Sequence, residues 1–266
     1  MERLVTAAVR AALKAGEEII RIYNTPGKEM PTERKADHSP LTLADRKSHE
    51  IIQTFLKENP YPLLSEEGGE TDFEERQHWK TFWLIDPLDG TKEFIKKNGE
   101  FTVNIALIDR HTPILGVIYV PVKRALYYGS TGKGAFKITG ISYASGLTEE
   151  ILRRGAERLP LPSGKRPFTV VASRSHANPE TSRFIGELGK KHTPLQLLSI
   201  GSSLKICLVA EGKADLYPRF APTMEWDTAA GHAIALAAGK NIYRYDGKTP
   251  LTYNKKDLHN PWFIVK

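Results

Sequence analysis

The hydrophobic pattern changes its period along the chain, and this change limits the fold more than any other feature of the sequence. In the first segment Val5, Ala8 and Ala12 recur three and four positions apart, which predicts an amphipathic helix over 1–23. A second helix is predicted over 43–57. From Thr81 to Ile138 short apolar runs alternate with turn residues, a pattern typical of antiparallel strands. The first half is therefore predicted to pack helices on an antiparallel sheet.

Strands and helices alternate after a polar stretch, 140–167, that contains glycine and proline. The predicted strands cover 169–172, 195–199, 216–217 and 242–245, and the predicted helices cover 179–190, 204–211 and 228–238. This order is typical of an α/β unit. We therefore predict two units, 1–145 and 146–266, with a boundary inside the polar stretch.

Composition narrows the class of protein. With 40% hydrophobic and 26% charged residues among 266, the chain is an ordinary globular protein rather than a disordered chain, a collagen or a coiled coil. Its one cysteine, Cys207, excludes an intrachain disulfide and a zinc site built from cysteines. No apolar run approaches the roughly 20 residues that span a bilayer, and charged residues from Glu2 onward argue against a secretory signal.

The formal net charge of +7 favours anionic partners, which leaves nucleic acid, acidic lipid and phosphorylated metabolites open. The basic residues are scattered, whereas nucleic-acid-binding proteins more often carry a dense basic stripe. This scatter argues against nucleic acid, but the charge by itself leaves all three kinds of partner open.

Three acidic clusters follow apolar segments: Glu66-Glu67, then Asp86 with Asp89, then Asp227. Carboxylates that lose water beside one another require a compensating cation. Sites built only from oxygen ligands suit hard cations, above all Mg²⁺. The three clusters contain neither histidine nor cysteine, which argues against zinc.

The second cluster combines a bend with the start of a helix. Pro87 fixes the backbone, so the carboxylates of Asp86 and Asp89 and the Leu88 carbonyl can point to one side. Gly90 and Thr91 then open a predicted helix over 92–96, whose first N–H groups would attract a phosphate.

The third cluster precedes the predicted helix over 228–238. The simplest interpretation of Asp227 is an N-cap of that helix. Ala229, Ala230 and Gly231 would let the helix approach closely and bring Asp227 near the other carboxylates.

In this order, segments 66–67, 86–91 and 226–231 resemble the signature of the inositol monophosphatase superfamily, whose members are Mg²⁺-dependent, lithium-sensitive phosphomonoesterases. Further segments resemble its bacterial 3′(2′),5′-bisphosphate nucleotidases (CysQ type), namely 92–96, 98–104, 173–176, 201–205 and 216–220. The resemblance covers nearly the whole chain and is weakest over 140–167. It implies a five-layered α-β-α-β-α sandwich, with an antiparallel sheet in the first half, a mixed sheet in the second and the site between them.

The resemblance also implies two or three Mg²⁺ ions. Glu66, Asp86 and the Leu88 carbonyl would hold one ion, and Asp86, Asp89 and Asp227 a second. A third, weaker ion would lie near Glu66, with Asp45 reaching it through water. The implied catalytic residues are Glu66, Asp45 and Thr91, of which Thr91 would orient and deprotonate the attacking water while bonded to Asp45. Asp45 and Thr91 can each also be read as helix-capping residues.

The implied substrate is 3′-phosphoadenosine 5′-phosphate, hydrolysed to AMP and phosphate in sulfur metabolism. The candidate binding residues are Gly90, Thr91, Ser173, Arg174, His176, Gly201, Ser202, Lys205 and Arg219. An inositol or sugar phosphatase with the same metals is the alternative within enzymes, and a nucleic-acid or membrane-surface binder is the alternative outside them. The resemblance favours a cytoplasmic monomer, and leaves peripheral contact with the inner membrane open.

Overall fold

Seven strands form the larger sheet of the computed structural model, which describes residues 1–25, 32–34, 40–69, 71–143, 149–162, 164–173 and 178–266. The elements of this half are α1 (Glu2–Tyr23), β1 (Thr32–Arg34), β2 (Pro40–Thr42), α2 (Leu43–Leu56), β3 (Leu63–Ser65), α3 (Phe73–Arg76), β4 (Thr81–Asp89), α4 (Thr91–Ile95), β5 (Thr102–Asp109), β6 (Thr112–Val120), β7 (Ala125–Ser130), β8 (Gly134–Thr139), α5 (Glu149–Arg154) and β9 (Glu157–Leu159). The larger sheet runs β3-β4-β5-β6-β7-β8-β9, and β1 pairs separately with β2.

The larger sheet is antiparallel from β4 to β9, as predicted, but β3 pairs in parallel with β4. The connection through α3 allows this, because parallel neighbours need a crossover rather than a hairpin. Ser65 pairs with Ile85 at the end of the pair. The residues that follow, Glu66 and Asp86, therefore leave the same edge of the sheet side by side.

The second half contains α6 (Pro179–Lys191), α7 (Leu204–Ala210), α8 (Glu225–Ala237) and five strands: β10 (Phe168–Ser173), β11 (Leu195–Ile200), β12 (Tyr217–Arg219), β13 (Ile242–Arg244) and β14 (Phe263–Val265). β10 and β11 are parallel, while β14 lies antiparallel between β12 and β13. A bridge between Val170 and Leu216 joins the two groups. The predicted mixed sheet is confirmed, although β14, the strand between β12 and β13, was not predicted.

Among the described residues, three hydrophobic clusters hold five layers together, because one of them fills both sides of the α7/α8 layer. Alternate residues of β4 divide between two of them: Trp83 faces α1 and α2, whereas Phe82 faces α7 and α8. The third cluster lies on the outer face of the smaller sheet, where Phe184 of α6 packs against Phe220. The order is therefore α1/α2, larger sheet, α7/α8, smaller sheet and α6, which confirms the predicted five-layered sandwich.

Helix α8 packs closely on the larger sheet because β6 has a glycine at the contact. A Cβ on Gly116 would lie 2.1 Å from the Ala230 carbonyl oxygen of α8. A Cβ on Gly231, which belongs to α8 itself, would lie 2.8 Å from the Ile206 side chain of α7. The predicted close approach of this helix is present, and it brings Asp227 to the edge where Asp86 lies.

The division into 1–145 and 146–266 stays a prediction. β9 hydrogen-bonds to β8 and so belongs to the larger sheet, beyond residue 145. Cys207 is buried in the core, as expected of a small hydrophobic side chain. Among the residues described here, no helix has the length and apolar character needed to cross a membrane.

Candidate active site

Three carboxylates from distant parts of the chain converge at the edge of the larger sheet. Glu66 follows β3, Asp86 lies in β4, and Asp227 lies in the first turn of α8. Each offers a carboxylate oxygen, and these three atoms all lie within 4.8 Å of one another. The three acidic clusters of the sequence therefore meet in one place.

A bulge in β4 aims Asp86 and Asp89 at the same region. Asp86 pairs with Asn104 of β5 and Asp89 pairs with Thr102, so β4 has one residue more than its partner over this stretch. In a regular strand, residues three apart face opposite sides, and the extra residue removes that alternation. Pro87, inside the bulge, is followed by Leu88, whose N–H donates to Asp86 Oδ1 at 3.1 Å.

The carboxylates are strained electrostatically. Burial raises the pKa of Asp86 well above its usual range, and the neighbouring Glu66 and Asp89 add to this shift. Burial likewise raises the pKa of Asp227, with repulsion from Asp89 and Glu66 next in importance. A hard divalent cation would relieve this repulsion, and an all-oxygen donor set suits such an ion. The residues present therefore fit a divalent cation.

Ser203, the residue before α7, ties Asp89 to α8. Asp89 Oδ2 accepts the Ser203 N–H at 2.6 Å and lies 2.7 Å from the Ser203 hydroxyl. The same hydroxyl lies 2.7 Å from the Asp227 carbonyl oxygen. Because it has one proton, it donates to one of the two at a time, while the backbone N–H holds Asp89 throughout. Ser203 therefore fixes the distance between the second and third acidic segments.

The two carboxylate oxygens of Asp45 accept hydrogen bonds from two different residues. Oδ2 accepts the backbone N–H of Thr42 at 2.8 Å, which with the Thr42 side chain forms a capping box at the start of α2. Oδ1 accepts the Thr91 hydroxyl at 3.2 Å. The predicted Asp45–Thr91 bond is present together with the cap, so Asp45 does cap α2, and its catalytic role stays a prediction that this geometry allows.

Asp227 is not the N-cap of α8, which corrects the simplest interpretation of the sequence. The helix begins at Glu225, three residues before the predicted Thr228, and Met224 is the N-cap. Asp227 occupies the third helical position, where Oδ2 accepts the Met224 N–H at 2.8 Å. The periodic apolar pattern starts later than the helix because the first turn carries the polar cleft residues.

A cleft of about 340 Å³ opens over the carboxylates, between the two halves of the chain. Glu66, Asp89 and Asp227 line it, whereas Asp86 is buried behind them. Seven of the nine residues predicted to bind substrate line it as well, namely Gly90, Thr91, Ser173, Gly201, Ser202, Lys205 and Arg219. The other two, Arg174 and His176, lie outside the described residues.

Two buried cations share this cleft with the carboxylates. Burial lowers the pKa of the Lys205 ammonium to about 8, with Asp89 opposing that shift. The Arg219 Nη2 donates to the Pro222 carbonyl at 3.0 Å. Its buried Nε has no hydrogen-bond partner among the residues that the structure describes. Buried cations of this kind favour an anionic ligand, because one would restore the charge balance.

Several cleft residues were not predicted as site residues. They include Lys92, Glu93, Ser203, Thr223, Met224, Trp226 and His259. Asn104, whose Nδ2 lies 3.0 Å from the Ser203 hydroxyl, is also part of the site. The sequence could have indicated Asn104, because an asparagine in the apolar run of β5 must find a polar partner when buried. Nothing in the sequence indicated Ser203, since serine is common directly before a helix.

The family model described as "Inositol monophosphatase family" matches residues 1–262. The chain belongs to the inositol monophosphatase family. The resemblance of the three acidic segments to this family is thereby confirmed.

Individual members of the inositol monophosphatase family are similar over nearly their full length. The chain is 49% identical over 257 residues to the 3′(2′),5′-bisphosphate nucleotidase CysQ of Escherichia coli strain K12, covering 96% of each chain. It is 48% identical to the protein of the same name from Salmonella typhimurium, again over 96% of each. The crystal structure of CysQ from Bacteroides thetaiotaomicron, "a bacterial member of the inositol monophosphatase family", superposes with a TM-score of 0.93 at 56% identity, covering 100% of this chain and 97% of that one.

Proposed function

We propose that this chain is a phosphomonoesterase that requires a divalent cation and hydrolyses 3′-phosphoadenosine 5′-phosphate to AMP and phosphate. The observation that carries the proposal is a single cleft holding both a group of carboxylates and a pair of buried cations. The names of the relatives at 48% and 49% identity support the same activity. A nucleotide with two phosphates suits such a cleft, because each end of the ligand then finds positive charge.

We infer that the cation is Mg²⁺ and that two or three ions bind. Glu66, Asp86 and the Leu88 carbonyl would hold one, Asp86, Asp89 and Asp227 another, and a third would lie near Glu66. When bound, these ions would neutralise phosphate oxygens and lower the pKa of a water molecule. The raised pKa values of Asp86 and Asp227 support this inference, since each reports negative charge that the protein alone does not balance.

Thr91 and Asp45 are proposed to move the proton of the attacking water. The Thr91 hydroxyl would accept that proton while giving its own to Asp45 Oδ1, 3.2 Å away. Asp45 is oriented for this because its other oxygen is held by the Thr42 N–H. General base catalysis of this kind contributes roughly 10²–10⁴-fold to the rate.

The second phosphate is proposed to bind at the opposite wall. Lys205 and Arg219 supply positive charge there, and the hydroxyls of Ser173 and Ser202 can donate hydrogen bonds. Gly201 lines the same wall, but its N–H donates to Glu100 Oε2. Arg219 Nε is suited to a phosphate oxygen, because it is buried and otherwise unpartnered among the described residues. The Gly90–Thr91 turn lines the cleft beside the carboxylates and would receive the phosphate that is cleaved.

The test is phosphate release from three substrates: 3′-phosphoadenosine 5′-phosphate, inositol 1-phosphate and fructose 1,6-bisphosphate, each with and without Mg²⁺. We expect the nucleotide to have the highest kcat/KM. A preference of tenfold or more for either sugar phosphate would refute the substrate assignment. Lys205→Met should raise KM for the nucleotide, while Lys248→Met, at an exposed turn, should leave it unchanged.

The same assay addresses the alternative of a non-catalytic polyanion binder, which the net charge of +7 motivates. Catalysis predicts that EDTA abolishes turnover and that added Mg²⁺ restores it. Charge-driven binding predicts salt-sensitive association with long polyanions that survives EDTA. Turnover that persists in EDTA would contradict the proposed cation requirement.

A further inference from the structure

The loop between α4 and β5 has no part in the chemistry proposed above, although segment 98–104 resembles the nucleotidases. Glu100 lies in this loop, where two glycine turns meet. A Cβ on Gly90 would lie 3.0 Å from the Glu100 carbonyl oxygen, and one on Gly201 would lie 3.1 Å from the same atom. Both turns therefore pack directly against one peptide group.

The Glu100 side chain also binds the second turn. Its Oε2 accepts the Gly201 N–H at 2.8 Å, from a residue 101 positions away. Hydrogen bonds from a backbone N–H to a carboxylate are stronger than those to a carbonyl. The Asn98 side chain accepts the Glu100 N–H at 2.9 Å, so the loop in turn orients Glu100.

The turn that Glu100 binds carries residues proposed to hold the second phosphate. Ser202 has a φ of +49°, a left-handed conformation that a side-chain-bearing residue adopts only when its surroundings enforce it. The Ser202 carbonyl accepts a hydrogen bond from the Lys205 ammonium. The turn is thus held at its first residue by Glu100 and at its second by Lys205.

We propose that Glu100 is a positioning residue that gives the site its preference for nucleotides with two phosphates, an inference that rests on the proposed function. Glu100 fixes the separation between the 201–202 turn and the 90–91 turn. We expect this separation to determine whether the two phosphates of one ligand can reach both turns at once. A substrate without the second phosphate makes no use of the 201–202 turn and gains little from Glu100.

The experiment compares two substrates that share the same cleaved group: 3′-phosphoadenosine 5′-phosphate and adenosine 3′-monophosphate, both at saturating Mg²⁺. Glu100→Ala should raise KM for the bisphosphate about tenfold, and so lower the preference for it by about 1.4 kcal/mol. Its kcat/KM for the monophosphate should stay near the wild-type value. Glu100→Asp, one methylene shorter, should lose the preference as well, whereas Glu100→Gln keeps an acceptor oxygen and should retain most of it. Glu58→Ala, at an exposed position, is the control.

Equal losses on both substrates in Glu100→Ala and Glu100→Asp would overturn the inference, because they indicate a general structural role. An unchanged preference in both variants would overturn it too. If circular dichroism shows that Glu100→Ala is unfolded, the test uses Glu100→Asp and Glu100→Gln instead. An equal preference for the bisphosphate in these two variants would then refute the proposal. A wild-type enzyme that ignores the bisphosphate refutes the proposed function and this inference together. One that hydrolyses both substrates equally well refutes the inference alone.

Discussion

Replacing Gly116 of β6 by alanine tests how the fold places the third carboxylate. The added Cβ would lie 2.1 Å from the Ala230 carbonyl oxygen and 2.9 Å from the Ala233 Cβ. The carbonyl belongs to the backbone of α8, so it cannot rotate away. Restoring a separation of 3.0 Å requires α8 and β6 to move apart by about 0.9 Å.

This displacement has two measurable consequences. Forcing extra volume into a packed interior costs roughly 1–3 kcal/mol in the free energy of unfolding. For a chain of this size, that lowers Tm by roughly 2–12 °C. Asp227 lies one turn before Ala230 on the same helix and moves with it, and a misplacement of about 1 Å in an active site can cost about 100-fold in rate.

The assay measures Tm by thermal unfolding, and kcat as a function of Mg²⁺ concentration. Gly129→Ala is the matched control, because its Cβ would meet the Ala237 side chain at 3.0 Å, at the far end of α8, and Ala135 of β8 at 3.2 Å, but no backbone carbonyl near Asp227. We expect Gly116→Ala to lower both Tm and kcat and to require more Mg²⁺. Gly129→Ala should leave Mg²⁺ activation intact. Wild-type Tm and activation in Gly116→Ala would refute the reasoning, and so would an equal loss of activation in the control.

Substitutions at Asp45, Ser203 and His232 test three other features of the structure. Asp45→Asn removes the proton acceptor for Thr91, so kcat should fall at least about 100-fold. Tm should stay close to the wild-type value, because an asparagine oxygen can still cap α2. A near-normal kcat would contradict the proposed proton transfer through Thr91 to Asp45. Ser203→Ala removes the hydroxyl that lies between the two acidic segments, so half-activation should need about tenfold more Mg²⁺, and an unchanged titration would contradict this role. Burial lowers the pKa of His232 to about 4, so below pH 6.5 the unfolded chain binds a proton that the folded chain does not. The free energy of unfolding should therefore fall by about 3 kcal/mol between pH 7 and pH 4, as measured by urea titration, and His232→Gln should remove that part of the slope.

The parts of the site that could be predicted from the sequence are those set by local chemistry. The bend at Pro87 and the left-handed Gly90 depend on the residues at those positions, so the Asp86–Thr91 segment was recognisable in isolation. The start of α8 was misplaced, because its first turn is polar where the apolar pattern gives no signal. Glu100 and Ser203 could not be assigned roles, since their partners lie 101 and 114 positions away.

The sequence by itself determined the kinds of ligand and the order of the elements. Carboxylates without histidine or cysteine favour a hard cation over zinc where they meet, and periodicity is a property of neighbouring residues. Only the tertiary structure decided that β3 runs parallel to β4, that a glycine in β6 admits α8, and that Glu100 binds the turn at Gly201. These pairings depend on which surfaces bury one another, and burial is settled by the packing of the whole chain rather than by any one segment.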